Sequence, residues 1–339
     1  HIGMPLTLAA MPQDTQYLAV EMGMSHAGEI AALTEITLPH IAAITCISDT
    51  HSEHFSSLND IAEAKTEIFI GLSGPAVAIL PRDDSFYGQL TGAARLAGAS
   101  TILTFGYHED SDIRVVTCDE APQGLSLCIG IPDADKGRKT LSFSLGMHAA
   151  HWAVNAACAL AMALAAGVDV EHAVKHLASF RDLPGRGLAT ALEIAGHSFT
   201  LIDDSYNASP SSMVASLVYL ATRPDAVKTA ILSDMLELGE GSHEAHLSLA
   251  GPVINAGITR LVTIGAMMAD HLGARLASDI EVISFASAEE LCAELVSHPA
   301  QMLGTSSVVL VKGSHGSGAH SVATTLTALG AQPSYSVVA

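Results

Sequence analysis

The chain has 339 residues, 49% of them hydrophobic, which suffices for two domains with sizeable cores and excludes a disordered chain. Its formal charge of -20, from 35 acidic against 15 basic residues, repels nucleic acid and anionic lipid surfaces, so an anionic nucleotide would need Mg²⁺, a few placed basic groups or backbone N–H donors. Five scattered cysteines (Cys46, Cys118, Cys128, Cys158, Cys292) without a C-x-x-C pair read as reduced core residues of a cytoplasmic protein, and neither a membrane-span run nor a signal peptide is recognisable.

Apolar runs of strand length alternate with helix-period segments, the pattern of a parallel sheet covered by helices. YLAVEMG, residues 17–23, is predicted as a strand, residues 28–36 as a helix and HIAAITCI, residues 40–47, as a strand. Over 58–72 the spacing of Ile61, Ala64, Ile68, Phe69 and Leu72 predicts a helix with one buried stripe. Lys65 falls within that stripe, whereas Asp60, Glu63 and Glu67 fall on the solvated face. PAVAILP and STILTFG continue the series, and the short alternating runs IRVVTC, GLSLCIGI and KTLSFSL between residues 113 and 144 predict an antiparallel edge or flap. Helices are predicted over 152–166 and 170–180, and RDLPGRG, residues 181–187, reads as a hinge linker. A second α/β series follows, with FTLIDD, a helix over 211–220, TAILSD, a helix over 244–256, and then RLVTIG, EVISF and SVVLVKG. The predicted architecture is two α/β domains joined near residue 183, without internal repeats or low-complexity tracts.

In α/β sheets, ligands gather beyond the carboxyl ends of the strands. Glu21 closes one predicted strand, His51 follows the next and Lys65 lies on the helix after it, so a carboxylate, an imidazole and a lysine would meet at one sheet end. Singly, each has an ordinary alternative: Glu21 as a helix cap, His51 as a loop residue and Lys65 as a snorkelling side chain. HSEH suggests a zinc pair, but no H-E-x-x-H helix and no third ligand at a usual spacing accompanies it, so zinc is set aside. Most of the 17 histidines sit singly in polar surroundings and read as solvated. GSHGSGAH is glycine-rich like a phosphate loop, yet no lysine follows it in the needed place.

The strings VEMGMSHAGEIAAL, THSEHFSSLNDIAEAKTEIFIGL, LIDDSYNASPSSMVASL, DMLELGEGSHEAH and VLVKGS, in this order and at these intervals, closely resemble the Mur ligases over nearly the whole chain. The resemblance implies a parallel-sheet, ATPase-type central domain over 1–182 and a Rossmann-like carboxyl-terminal domain over 183–339. It implies an ATP-dependent amide ligase of peptidoglycan precursor synthesis, adding D-alanyl-D-alanine to UDP-N-acetylmuramoyl tripeptide through an acyl phosphate, with ATP and Mg²⁺ as cofactors. A cytoplasmic monomer is expected. Carried over position by position, Glu21 and His51 hold Mg²⁺. Lys65, in AKTEIF, is carbamylated by CO₂ and supports a second Mg²⁺, which gives His51 and Lys65 catalytic weight. His151 and Asn155, in HWAVN, lie near adenine; Arg186 contacts the nucleotide; Asp204 belongs with it; Tyr206 and Asn207 lie close to the nucleotide and the incoming amine; and Lys312 faces substrate.

Ordinary readings remain open for three of these. His151 and Asn155, four apart at a helix start, equally fit cap and surface residues, and Lys312 before a glycine equally fits a lysine facing water. No G-x-x-x-x-G-K-[ST] segment occurs, and HIGMPLTL resembles the family segment shortly downstream of that phosphate loop. The sequence therefore reads as beginning inside the ATPase domain, with an incomplete first sheet and no ligation by this chain alone. A catalytically silent fragment retaining only nucleotide or amine binding is the alternative. A ligase of the folate or cyanophycin type is opposed by DDSYNASPSSM. Further departures from the family pattern are Ser25 for asparagine, Ser233 for glycine and His315 for arginine.

Overall fold

Strands buried on both faces of a parallel sheet carry near-continuous apolar side chains, and VAILP, KTAILS and VVLVK have that composition. A computed structural model describes residues 2–48, 52–121, 124–133, 135, 137–181, 183–225 and 227–330. The chain divides into two compact units, His1–Arg181 and Asp182–Ala339.

The first unit holds one six-stranded sheet of Ile41–Ala43 (β1), Val77–Pro81 (β2), Thr101–Gly106 (β3), Ile113–Ala121 (β4), Gly124–Asp133 (β5) and Gly137–Leu145 (β6), in that spatial order. Pairing is parallel from β1 to β4 and antiparallel from β4 to β6, so the alternating runs form the expected antiparallel flank. The helix His151–Ala165 packs along this sheet. Its alanines, with Ala153, Ala156, Ala157 and Ala161 buried, let the backbone approach the strands closely.

Residues 17–23 are not a strand. They are irregular and largely exposed, and among the described residues β1 pairs with β2 alone, so no ladder takes up their backbone groups. An apolar pattern does not hold a strand without a partner to satisfy its N–H and C=O groups.

The second unit holds Leu188–Ile194 (β7), His197–Asp204 (β8), Lys228–Ser233 (β9), Ile258–Ile264 (β10), Glu281–Phe285 (β11) and Val308–Lys312 (β12), in the order β11-β10-β9-β12-β8-β7. Every pairing is parallel except the β7–β8 hairpin. One face buries a core with Met213, Leu217 and Val253 from the helices Pro210–Thr222 and Ala250–Asn255. The other buries Leu291, Leu295, Val322 and Leu326 from Ala288–Ser297 and Ala319–Gly330. Helices on both faces of a mostly parallel sheet make this a doubly wound unit. The helix expected over 244–256 is two pieces, Ser242–Ser248 and Ala250–Asn255, because Pro252 has no N–H to continue the ladder. No helix among the described residues is long and apolar enough to cross a membrane.

Candidate functional site

In the second unit, β8 and β12 are parallel neighbours in a register that sets Asp204 beside Lys312 at their carboxyl ends. Lys312 does not face water: it is 3% exposed, and its Nζ donates to Asp204 Oδ2 at 2.8 Å and to the Asn207 carbonyl at 3.0 Å. Ser216 Oγ donates to the same carboxylate oxygen from the following helix. Pairing and hydrogen bonding in this way offset the cost of burying the ammonium.

Asp203, absent from the sequence-based candidates, organises the adjoining turn. Its Oδ1 accepts from the Ser205 N–H and hydroxyl at 3.2 and 2.5 Å, and its Oδ2 accepts from the Gly185 N–H at 2.8 Å. Tyr206 N–H donates back to the Gly185 carbonyl at 2.9 Å. Gly185 has φ +76°, and a Cβ there would lie 3.2 Å from Tyr206, so the close approach requires glycine. These bonds seat the Arg186 guanidinium carbon 4.0 Å from the centre of the Tyr206 ring, a cation–π contact with both residues exposed. Next along, Asn207 Oδ1 accepts from the Ala208 and His315 N–H groups at 2.9 and 3.3 Å. Ser209 caps the helix Pro210–Thr222 with a capping box closed by Ser212. The sequence SYNASPSS thus encodes a stiff turn between strand and helix.

The glycine-rich GSHGSG segment serves packing here. A Cβ on Gly313 would lie 1.5 Å from Ser233 Oγ, and Ser314 Oγ accepts from the Leu236 N–H at 2.9 Å, tying the end of β12 to that of β9. His315 tilts against Tyr206 with ring centres 5.9 Å apart and stacks on His320 at 5.5 Å. His246 is buried; its Nε2 accepts from the Met235 N–H at 2.9 Å while Nδ1 bonds the Ser242 carbonyl at 2.7 Å, which fixes the neutral tautomer. Burial holds its pKa below the ordinary imidazole value, against the Ser242 carbonyl, which favours the charged form.

In the first unit, Lys65 is half-buried, and its ammonium reaches back to the Cys46 carbonyl at 2.8 Å, just beyond β1. Asp84 Oδ2 accepts from the next residue, Ile47 N–H, at 2.8 Å. Lys65 therefore fixes the chain that leads towards His51, and His51 itself lies outside the described residues. Glu67 is not on a free solvated face: its carboxylate accepts from Gly28 and Ala31 N–H groups at 2.7 and 3.1 Å and caps the helix Glu29–Thr37. The helix expected over 58–72 accordingly stops at Thr66 and tightens into a 3₁₀ turn at Glu67–Phe69. Glu29 accepts from the Ser25 and His26 N–H groups, which hold its carboxyl below the usual range. Glu21 is exposed on the irregular segment, and His151 and Asn155 are exposed on the first turns of the helix His151–Ala165. Among the described residues no group of three His, Cys, Asp or Glu side chains converges as a metal cage.

Residues 1–163 match the Mur ligase middle domain, and residues 192–315 match the Mur ligase glutamate ligase domain. The UDP-N-acetylmuramoyl-tripeptide–D-alanyl-D-alanine ligase of Rickettsia prowazekii is 32% identical over 316 residues, covering 93% of this chain and 67% of that protein. The enzyme of the same name from Escherichia coli is 28% identical over 265 residues, covering 78% of this chain and 56% of its own length. The chain thus spans between about half and two thirds of these curated relatives. Among solved structures, MurF from Acinetobacter baumannii superposes with a TM-score of 0.80 at 28% identity, over 96% of this chain and 68% of that one. With both domain families matched in order and a relative above 30% identity, the chain belongs to the Mur ligase family, on its MurF branch.

Proposed function

We propose that this chain serves the ATP-dependent joining of D-alanyl-D-alanine to UDP-N-acetylmuramoyl tripeptide, the reaction named for its curated relatives. The observation that carries this reading is the turn at the end of β8, where DDSYNASPSS is held by the buried Lys312–Asp204 pair and by the Asp203–Gly185 bond. When bound, ATP supplies the phosphoryl group that activates a carboxylate, and Mg²⁺ neutralises phosphate charge.

The residues of this chain contribute orientation. Arg186 and Tyr206 present an exposed, flat, cationic surface suited to a nucleotide, on a turn whose backbone bonds leave it little freedom. Lys312 is proposed to act from below substrate: it is buried and fixes the Asn207 carbonyl and the Asp204 carboxylate, so that Asn207 and Tyr206 keep their places for the incoming amine. His151 and Asn155 remain proposed adenine neighbours, supported by their shared exposed helix face.

Lys65 remains the proposed carbamylation site. The amine must leave the Cys46 carbonyl before it can attack CO₂, and the resulting anion needs a cation nearby. Mg²⁺ keeps several waters and takes one or two protein ligands beside phosphate oxygens, so it needs no all-protein cage, and Glu21 and His51 remain its proposed ligands. All five cysteines are free, which supports a reducing, cytoplasmic setting.

The test is ligand binding by calorimetry with ADP and with D-alanyl-D-alanine, on the wild type and on Arg186→Ala. ADP binding weakened at least about tenfold, the loss of about 1.4 kcal/mol, with dipeptide binding unchanged, is expected. Failure of both ligands to bind the wild type, or ADP binding indifferent to Arg186, would refute the reading.

A further inference from the structure

We propose that His243 and His271 together bind one late first-row divalent transition ion, of the Ni²⁺, Cu²⁺ or Zn²⁺ class, at a site apart from the residues assigned above. His243 stands exposed on the first turn of the helix Ser242–Ser248, and His271 stands half-exposed on the π-helical turn Met268–Gly273, which packs against that helix. Their Nδ1 atoms are 3.0 Å apart, with ring centres at 4.2 Å and ring planes at 84°. Short π-helical turns are uncommon and concentrate at functional positions.

Two imidazole nitrogens bound to one ion at about 2.0–2.1 Å are separated by about 2.9 Å when cis on a tetragonal ion and about 3.4 Å on a tetrahedral one. The observed 3.0 Å lies within that span. In the metal-free protein one Nδ1 donates its proton to the other, so at least one lone pair already points into the space between the rings. An ion replaces that proton, which passes to solvent while the donor ring takes one up at Nε2, so that both Nδ1 lone pairs face the ion; the exposure of the rings allows this exchange and the rotation it needs. Water completes the coordination. The formal charge of -20 raises the local cation concentration.

The site would act as a clamp. The helix bearing His243 also bears His246, which accepts from the Met235 N–H, and the π-helical turn donates its Met268 N–H to Asp234 at 2.7 Å. An ion across His243 and His271 joins the two elements that hold residues 234 and 235. The competing site is the i, i+4 pair His172 and His176 on the helix Val170–Ser179, whose rings approach to 4.5 Å without a nitrogen–nitrogen contact.

The experiment uses the untagged full chain, stripped of metal and titrated with NiCl₂, read by calorimetry and by the rise in thermal midpoint. Saturable binding is expected. H243Q and H271Q should each weaken it at least about tenfold and abolish the thermal shift, whereas H172Q should leave both intact. No saturable binding by the wild type below about 1 mM would overturn the proposal. So would wild-type affinity in H243Q and H271Q, or loss of binding in H172Q.

Discussion

Replacing Lys312 by methionine isolates the energetics of the turn at the end of β8. Methionine keeps an unbranched stem of similar volume, so the substitution removes the ammonium without opening a cavity. Three bonds are lost, to Asp204 Oδ2 at 2.8 Å, to the Asn207 carbonyl at 3.0 Å and, longest, to the Asp204 carbonyl at 3.5 Å. Breaking a fully buried ion pair from one side costs about 3–5 kcal/mol. Asp204 is 22% exposed and keeps its bond from Ser216, so water and the hydroxyl recover part of that loss. The unpaired Asn207 carbonyl adds about 1 kcal/mol. The expected destabilisation is therefore about 2–4 kcal/mol, and in a unit of this size each kcal/mol lowers the midpoint by about 2–4 °C, giving about 4–16 °C. The assay is thermal and urea unfolding of wild type, Lys312→Met, Asp204→Asn and the double variant. Because the pair acts as one unit, the double variant should lose at least about 1.5 kcal/mol less than the sum of the singles. A Lys312→Met protein within about 0.5 kcal/mol of wild type, or strict additivity in the cycle, would refute the reasoning.

Stability should also fall with acid through His246: its folded pKa is lowered, so the unfolded state takes the proton first. The contribution is complete above about pH 6.5 and is lost as the pH drops towards the lowered folded value, and His246→Asn should flatten that part of the unfolding profile. Glu67→Ala leaves the Gly28 and Ala31 N–H groups without their carboxylate and should cost about 1–2 kcal/mol, measured as faster hydrogen exchange at the start of the helix Glu29–Thr37; unchanged exchange there would exclude the cap. Gly185→Ala forces a Cβ onto a positive φ and against Tyr206, and a loss of about 1–2 kcal/mol by urea unfolding is expected. If Lys65 forms a carbamate, protein equilibrated with ¹³C-bicarbonate shows a carbamate carbonyl resonance that Lys65→Arg lacks; identical spectra would end that assignment.

Elements announced by local pattern were legible in the sequence. The runs PAVAILP, STILTFG and TAILSD contributed β2, β3 and, shifted by one residue, β9, and the alternation over residues 113–144 became the antiparallel flank. What local pattern could not supply was the partner. Residues 17–23 have strand composition and no strand beside them among the described residues. β7 was missed for the opposite reason: LATALEI alternates weakly, and its hairpin turns through Ala195 and Gly196, both at positive φ, without the usual Asn-Gly signal. Lys65 was placed on a buried stripe because helical spacing ignores a carbonyl offered by another element, and the Cys46 oxygen lies 19 positions away.

The same limit explains the candidate site. Tyr206 and Asn207 could be named from a contiguous string, whereas the partner that steadies them could not, because Lys312 lies 108 residues from Asp204 and meets it through the order β9-β12-β8. A chain whose last strand inserts between two earlier ones brings its final strand end into the centre of the sheet. Any polar residue closing that strand is then flanked on both sides, here by Asp204 of β8 and Leu232 of β9. A lysine there is buried by topology, and a carboxylate on the neighbouring strand compensates its charge. The second aspartate of FTLIDD, in register with the lysine of VVLVK, is that carboxylate. Exchanging the pair to Asp204→Lys with Lys312→Asp would keep the charges and reverse the carboxylate and ammonium relative to Ser216 and the Asn207 carbonyl, so stability recovered by the swap but turn geometry lost would separate the two roles of the pair.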